Sequence, residues 1–210
     1  TVADTLALHD LIRQYPLGML VSHCDGALDA NHLPCELLEG EDGRTTLIAH
    51  VARANPLWQQ LRDDDAVLVV FRAEEGYISP NWYPSKHEAH RQVPTWNYRV
   101  VHAHGTVTVR QDEKFLLGVT GRLTRTHEAR TQAQVPQAHP AWKMGDAAPD
   151  YLQQMLGAIV GLEIHVTRLE GKFKLGQNRS PADLRGAADG VAAVGQTALA
   201  AQMRQHGRLE

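Results

Sequence analysis

The sequence has 210 residues, 43% apolar and 21% charged, long enough for one large domain and ordinary for a soluble globular protein. A net charge of −3 gives no general attraction to nucleic acid or anionic lipid. No apolar run approaches the roughly 18 residues that a membrane span requires.

The N-terminal TVADTLALHDLIRQYP is an amphipathic helical pattern without the layout of a signal peptide, so a cytoplasmic location is expected. The first helix is predicted from Asp4 to Tyr15, with Leu6, Leu8, Leu11 and Ile12 as its stripe and Pro16 at its end. LGMLVS (17–22) reads as a strand, and a turn at Asp25-Gly26 pairs residue 24 with residue 27. Residues 28–38 alternate, with Leu33, Cys35 and Leu37 on one face and His32, Pro34 and Glu36 on the other. A second turn, Asp42-Gly43, leads into TTLIAHV (45–51), and the three runs together suggest an antiparallel meander. If that turn holds two residues, Cys35 and His50 face each other across the strands.

Asn55-Pro56 opens the short helix PLWQQLRDD. AVLVVF (66–71) and a second run around Gly76–Ser79 read as strands, followed by a proline-rich aromatic loop over 80–95. TWNYRVVHAHGTVTVR (95–110) is a long strand with Val101, Val107 and Val109 in step, and Gly105 marks a bulge or a close approach. The pattern is helical from Asp112 through about Arg130, loop-like over 131–149, helical again at Tyr151–Leu156, and extended over 158–175. One final helix starts at Ser180-Pro181. The predicted fold is mainly β with peripheral helices (α+β), an antiparallel and closed or nearly closed barrel. It is expected to be one domain over 1–210 with a C-terminal helical extension at about 181–206.

Three segments can carry a ligand. His50-Val51-Ala52-Arg53-Ala54-Asn55-Pro56 joins a strand to a helix start, where free amides and the Arg53 charge suit a phosphate. The same residues also read as a capped helix with a solvated arginine. Ser79, Trp82, Tyr83, Thr95, Trp96 and Asn97 lie in or beside an aromatic loop that suits a planar ring, or that packs down over the barrel end. Lys172 and Lys174 share a strand face, and with Gln177, Asn178 and Arg179 they form either a phosphate contact or a solvated basic edge. Twelve histidines prompt a test for metal, but no spacing matches a zinc ribbon, a zinc finger or an HExxH helix, and no metal is expected. GxGxxG, P-loop and GxSxG patterns are absent as well, and no catalytic residue is assigned. Two cysteines, Cys24 and Cys35, are too few and too poorly placed for a disulfide framework.

YISPNWYPSKHEAHRQVPTWNYRVVHAHG (77–105) resembles the signature of the PaiB family, FMN-binding negative transcriptional regulators. LGMLVS with DANHLPCEL, LIAHVARANPLW and IVGLEIHVTRLEGKFKLGQNRS agree in order, so the resemblance covers nearly the whole chain. It implies a split β-barrel of the FMN-binding type, a homodimer, and FMN at the subunit interface. The phosphate would lie near His50–Arg53, with the 77–98 aromatics and Lys174–Arg179 as walls. Phe173 stands where the family commonly has tryptophan, and Gly176 where it has serine. The family commonly opens on an extended segment of the type Met-Tyr-x-Pro, whereas this sequence opens at Thr1 on the helix.

The expected function is that of an FMN-binding negative regulator. The alternatives are an FMN-dependent oxidoreductase, like a flavin reductase or pyridoxamine-phosphate oxidase, and a haem-binding split barrel. The family name implies DNA binding, yet a net charge of −3 does not provide the basic face that phosphate contacts need.

Overall fold

The computed structural model describes residues 2, 4–24, 26–135 and 139–207. Asp25 of the first turn and residues 136–138 of the 131–149 loop lie outside these. Seven strands are formed: β1 (Leu17–Cys24), β2 (Ala27–Pro34), β3 (Glu36–Glu39), β4 (Thr45–Ala52), β5 (Asp65–Ile78), β6 (Thr95–Arg110) and β7 (Ile159–Lys174). The helices are α1 (Thr5–Gln14), α2 (Leu57–Gln60), α3 (Pro84–Ala89), α4 (Glu113–Gln134), α5 (Pro149–Gly157), α6 (Pro181–Ala193) and α7 (Thr197–His206). The strands make one antiparallel sheet in the order β2-β1-β5-β6-β7-β4-β3. Among the described residues no ladder joins β2 to β3, so the sheet is open rather than closed. No helix among them is long and apolar enough to cross a membrane.

Several expectations hold. Cys24 pairs with Ala27, and Gly26 takes the positive φ of 80° that such a tight turn requires. Leu33, Cys35 and Leu37 are buried together. β6 runs over the residues that its period-two pattern marks, and a Cβ on Gly105 would lie 2.3 Å from the His165 carbonyl oxygen. That glycine is a close approach of two backbones.

Others are corrected. The 28–38 run is two strands: it breaks at Cys35, whose amide donates to Pro16 O, and β2 and β3 end up at opposite ends of the strand order. The meander therefore does not form. The loop between β3 and β4 has five residues (40–44), because Glu39 pairs with Thr45. Gly40 donates to Arg44 O, Gly43 has φ 77°, and the Asp42 carboxylate accepts the Arg44 amide. This odd count shifts the register by one, and Glu36 faces Ile48. Cys35 and His50 are thus out of register with each other. Residues 66–71 and 76–78 belong to one strand, β5, whose polar middle is held by strand pairing and by the Glu74 ion pair described below, while Ser79 lies beyond its end. The last helix is two, broken at Gly195 with φ 87°. On α1, Leu6 is 67% exposed and lies off the stripe formed by Leu8, Leu11 and Ile12.

The chain packs as two compact units. The first comprises Thr1–Leu11, Arg72–Val101 and Glu170–Glu210, and the second Ile12–Phe71 and His102–Leu169. In the second unit β4 is buried on both faces, which explains its continuous apolar run. Leu47 and Ala49 are fully buried, and Ile48 on the other face packs under Val119 and Leu123 of α4. The larger side chains among them, such as Leu47 and Ile48, contribute about 1.5–3 kcal/mol each on burial. Asp112 fixes the start of α4, its carboxylate accepting the Phe115 amide. In the first unit Leu184, Ala187, Ala188 and Val191 of α6 and Leu199, Ala200 and Met203 of α7 are buried. Ser180 caps α6 by accepting the Asp183 amide.

Candidate functional site

The sequence-predicted residues divide between the two units, and each group is described on its own. In the second unit β4 delivers His50, Val51 and Ala52 to its end. Val51 is core and Ala52 is exposed. Arg53 is engaged inside the protein. Its Nε donates to Gly157 O (2.8 Å), Nη1 to Gln111 Oε1 (2.9 Å) and Nη2 to Ile159 O (3.1 Å). The guanidinium also lies 5.5 Å from the Trp58 ring centre, and the Trp58 indole donates to Arg53 O. Arg53 therefore holds the C-terminal end of α5, where carbonyls lack helical partners. Asn55 accepts the Leu57 amide at 2.9 Å and donates to Asn31 Oδ1 at 2.8 Å, so it caps as its position suggests. α2, however, is only four residues long and supplies little dipole.

His50 Nδ1 is buried without a partner, and burial holds the imidazole below its usual range. The His102 imidazole is also held below its usual range, by burial and the neighbouring His104, and that of His104 by burial and Arg168. In the unfolded chain these imidazoles titrate near about 6.5. Folding therefore disfavours their protonated forms, and the associated stability is complete above about pH 6.5 and is lost as pH falls toward the lower folded values. The urea midpoint is expected to drop between pH 7.5 and pH 5.5, and His50→Gln to reduce that drop. An unchanged drop in the variant would remove His50 as a source.

The first unit gathers the remaining residues. Ser79 Oγ accepts the Asn81 amide and starts a short 3-10 turn over Pro80–Trp82. Trp82 then docks on α6: a Cβ on Gly190 would come 2.2 Å from its indole, and one on Gly186 equally close to its carbonyl oxygen. Tyr83 is buried, and the Arg179 guanidinium lies 4.7 Å from its ring centre. Burial pushes the Tyr83 phenol up, against the opposing pull of Arg179. Arg179 donates to Gln92 Oε1, Gln92 to Ser85 Oγ, and the Ser85 hydroxyl and amide both donate to Asp183. Burial would raise the Asp183 carboxyl, yet these bonds, the Ser180 hydroxyl and the Arg179 charge hold it below the usual range. Residues 84–91 thus form α3 and its end, tied to α6 through Ser85.

Asn97 is buried, and Gln177 closes a local turn by accepting from Leu175 N and donating to Phe173 O. Asn178 is exposed. What remains open is Trp96, 55% exposed and edge-on to Tyr77, which is itself 46% exposed. Lys174 Nζ donates to Thr95 Oγ1, and Lys172 Nζ lies 5.8 Å from the Tyr98 ring centre. This face offers two aromatic surfaces, a hydroxyl and two ammonium groups, which fit a planar ring bearing an anionic tail. The sequence-predicted residues Trp96, Thr95 and Lys174 meet here. Tyr77, Tyr98 and Lys172 join them, and alternation along β5, β6 and β7 is the signal that places them on the open face. Cys35 is no candidate nucleophile, since burial pushes its thiol up to about 12.

Comparison with known proteins agrees with this fold. An uncharacterized protein of Aspergillus fumigatus is 28% identical over 226 residues, covering 90% of this chain and 87% of that one. The protease synthase and sporulation protein PAI 2 of Bacillus subtilis is 28% identical over 182 residues, covering 87% and 81%. Among solved structures, an FAD and heme binding protein from Mycobacterium smegmatis superposes with a TM-score of 0.55 at 19% identity, covering 92% of this chain and 79% of that one. The open antiparallel sheet is thus of the flavin-binding split-barrel type. Residues 1–168 of the 210 match the family described as "Putative FMN-binding domain", which shows that the chain belongs to that family.

Proposed function

We propose that this protein binds FMN and acts as a PaiB-like negative regulator, a cytoplasmic homodimer with the flavin at the subunit interface. The observation that carries the reading is the open face of the first unit, where Tyr77, Trp96, Thr95, Lys172 and Lys174 stand together. Trp96 and Tyr77 take the isoalloxazine ring, and the lysines take the anionic end. Half-exposed aromatics of this size also favour a partner surface, which supports the dimer. The name of the Bacillus relative, tied to protease synthesis and sporulation, supports a regulatory role. A net charge of −3 favours regulation through a protein or metabolite over direct DNA contact. Bound flavin supplies hydride or electron transfer, and this chain's residues would orient it and exclude water.

The test is an absorbance spectrum after incubation with FMN and desalting. Retained bands near about 370 and 450 nm are expected. Trp96→Ala and Lys174→Ala are expected to weaken retention about tenfold each, the scale of one good contact. A protein that stays colourless with FMN yet gives a Soret band with haem would replace this reading with the haem-binding one. Retention together with NADH- or NADPH-driven bleaching above the protein-free rate would move the role to oxidoreductase.

A further inference from the structure

The second unit carries a cavity that the flavin reading does not use. It measures about 320 Å³ and is lined by Gly121, Thr124 and Arg125 of α4 and by Trp142, Lys143 and Met144 of the segment that follows. Residues 121, 124 and 125 are spaced to share one helix face. The segment is fastened over that face, since the Trp142 amide donates to Glu128 Oε2 at 2.9 Å and the Lys143 amide to Asp146 Oδ2 at 2.8 Å. Met144 sits against the helix, with its sulfur 3.7 Å from Thr120 Oγ1 and 3.4 Å from where a Gly121 Cβ would be. Gly121 therefore keeps the floor low, and a larger side chain there would fill the space.

Two features give the cavity a chemical preference. Trp142 is 45% exposed although its backbone is anchored, which leaves an indole surface open to a second ring. The Arg125 guanidinium has no hydrogen-bond or ion-pair partner among the described residues, and Lys143 adds a second positive charge at the rim. Two nearby carboxylates are both turned to backbone amides, Glu128 to that of Trp142 and Asp146 to that of Lys143. The walls are otherwise mainly apolar.

The geometry points to a binding site for a small planar aromatic carboxylate, with the ring on Trp142 over Gly121 and the carboxylate on Arg125. A guanidinium presents a planar fork of donors that matches a carboxylate. The volume lies at the lower end of ordinary ligand sites, which suits one or two fused rings rather than a full flavin mononucleotide.

The experiment is calorimetric titration of the full chain with 2-naphthoate, and with naphthalene-2-methanol as its neutral counterpart. The acid is expected to bind at least about tenfold more tightly than the alcohol, the scale of one charge-assisted hydrogen bond. Arg125→Gln should erase that preference, and Gly121→Leu should abolish binding of both while far-UV circular dichroism shows α4 intact. Trp142→Ala, outside any helix or strand, should weaken both equally. Equal binding of acid and alcohol to the unmodified chain overturns the anion preference, and undiminished binding to Gly121→Leu overturns the site. Saturating FMN should leave the titration unchanged, as should Trp96→Ala. Displacement of naphthoate by FMN would instead show that this cavity belongs to the flavin. The proposal stands whether or not FMN binds at the first unit.

Discussion

Replacing Glu74 with glutamine is expected to lower the free energy of unfolding by about 3–5 kcal/mol, the range seen when one partner of a buried ion pair is removed. Glu74 and Arg99 are only 8% and 7% exposed. Their contact is bidentate, Nε to Oε2 at 2.7 Å and Nη2 to Oε1 at 2.9 Å, and the guanidinium also lies 5.3 Å from the Phe173 ring centre. Glutamine keeps the shape but leaves the Arg99 cation with the ring and no countercharge. Such a cation has lost its water without gaining an equivalent partner, and that imbalance is the source of the effect. The double variant Glu74→Leu, Arg99→Met removes both charges at similar volume and is expected to recover most of the loss. Urea unfolding of all three proteins decides the matter. A single variant within about 1 kcal/mol of the parent would mean that water reaches the pair in solution.

The second large effect is expected at Gly105. A valine there would place its Cβ 2.3 Å from the His165 carbonyl oxygen and 3.0 Å from the carbonyl carbon. No rotamer relieves this clash, because the obstacle is backbone. β6 and β7 must move apart locally, at a cost of about 3 kcal/mol or more. Gly118 on α4 is the natural control, since a Cβ there meets nothing within 4 Å. Gly118→Ala is expected to stabilise the protein by about 0.5–1 kcal/mol through helix propensity and lost chain entropy. Thermal or urea melts that place both variants on the same side of the parent would contradict the close-approach account.

These two sites show which parts of the molecule can be read from the chain. Gly105 is visible as a glycine interrupting a period-two strand, and the structure supplies only the identity of the obstacle. The Cys24–Ala27 hairpin and the bounds of β6 are equally local and equally legible. The 40–44 loop is different: Asp42-Gly43 marks a turn, but its length follows from hydrogen bonds that the dipeptide does not encode. One extra residue was enough to separate Cys35 from His50.

The residues of the proposed sites follow the same division. The exposure of Trp96 and the pairing of Lys174 with Thr95 rest on short-range signals, aromatics in a loop and alternating lysines. Arg53 could not be read this way, because its partners Gly157 and Ile159 lie 104 and 106 residues away. Nor does the sequence pair Glu74 with Arg99, since a buried charge and a solvated one look alike in a string of letters. Trp142 stood in a stretch rich in proline, glutamine and alanine that reads as featureless, yet a single bond to Glu128 anchors it.

The break at Cys35 also bears on self-association. β2 and β3 are the terminal strands of the sheet, and one residue links them. Successive Cα atoms are about 3.8 Å apart, so a single linking residue brings the end of β2 and the start of β3 together at this corner. Pro34 removes one amide donor at the same place. A foreign strand seeking to extend the sheet meets a missing donor and a change of strand at that point. The corner that spoils the expected meander thereby adds a proline and a break, two devices that blunt edge-to-edge pairing.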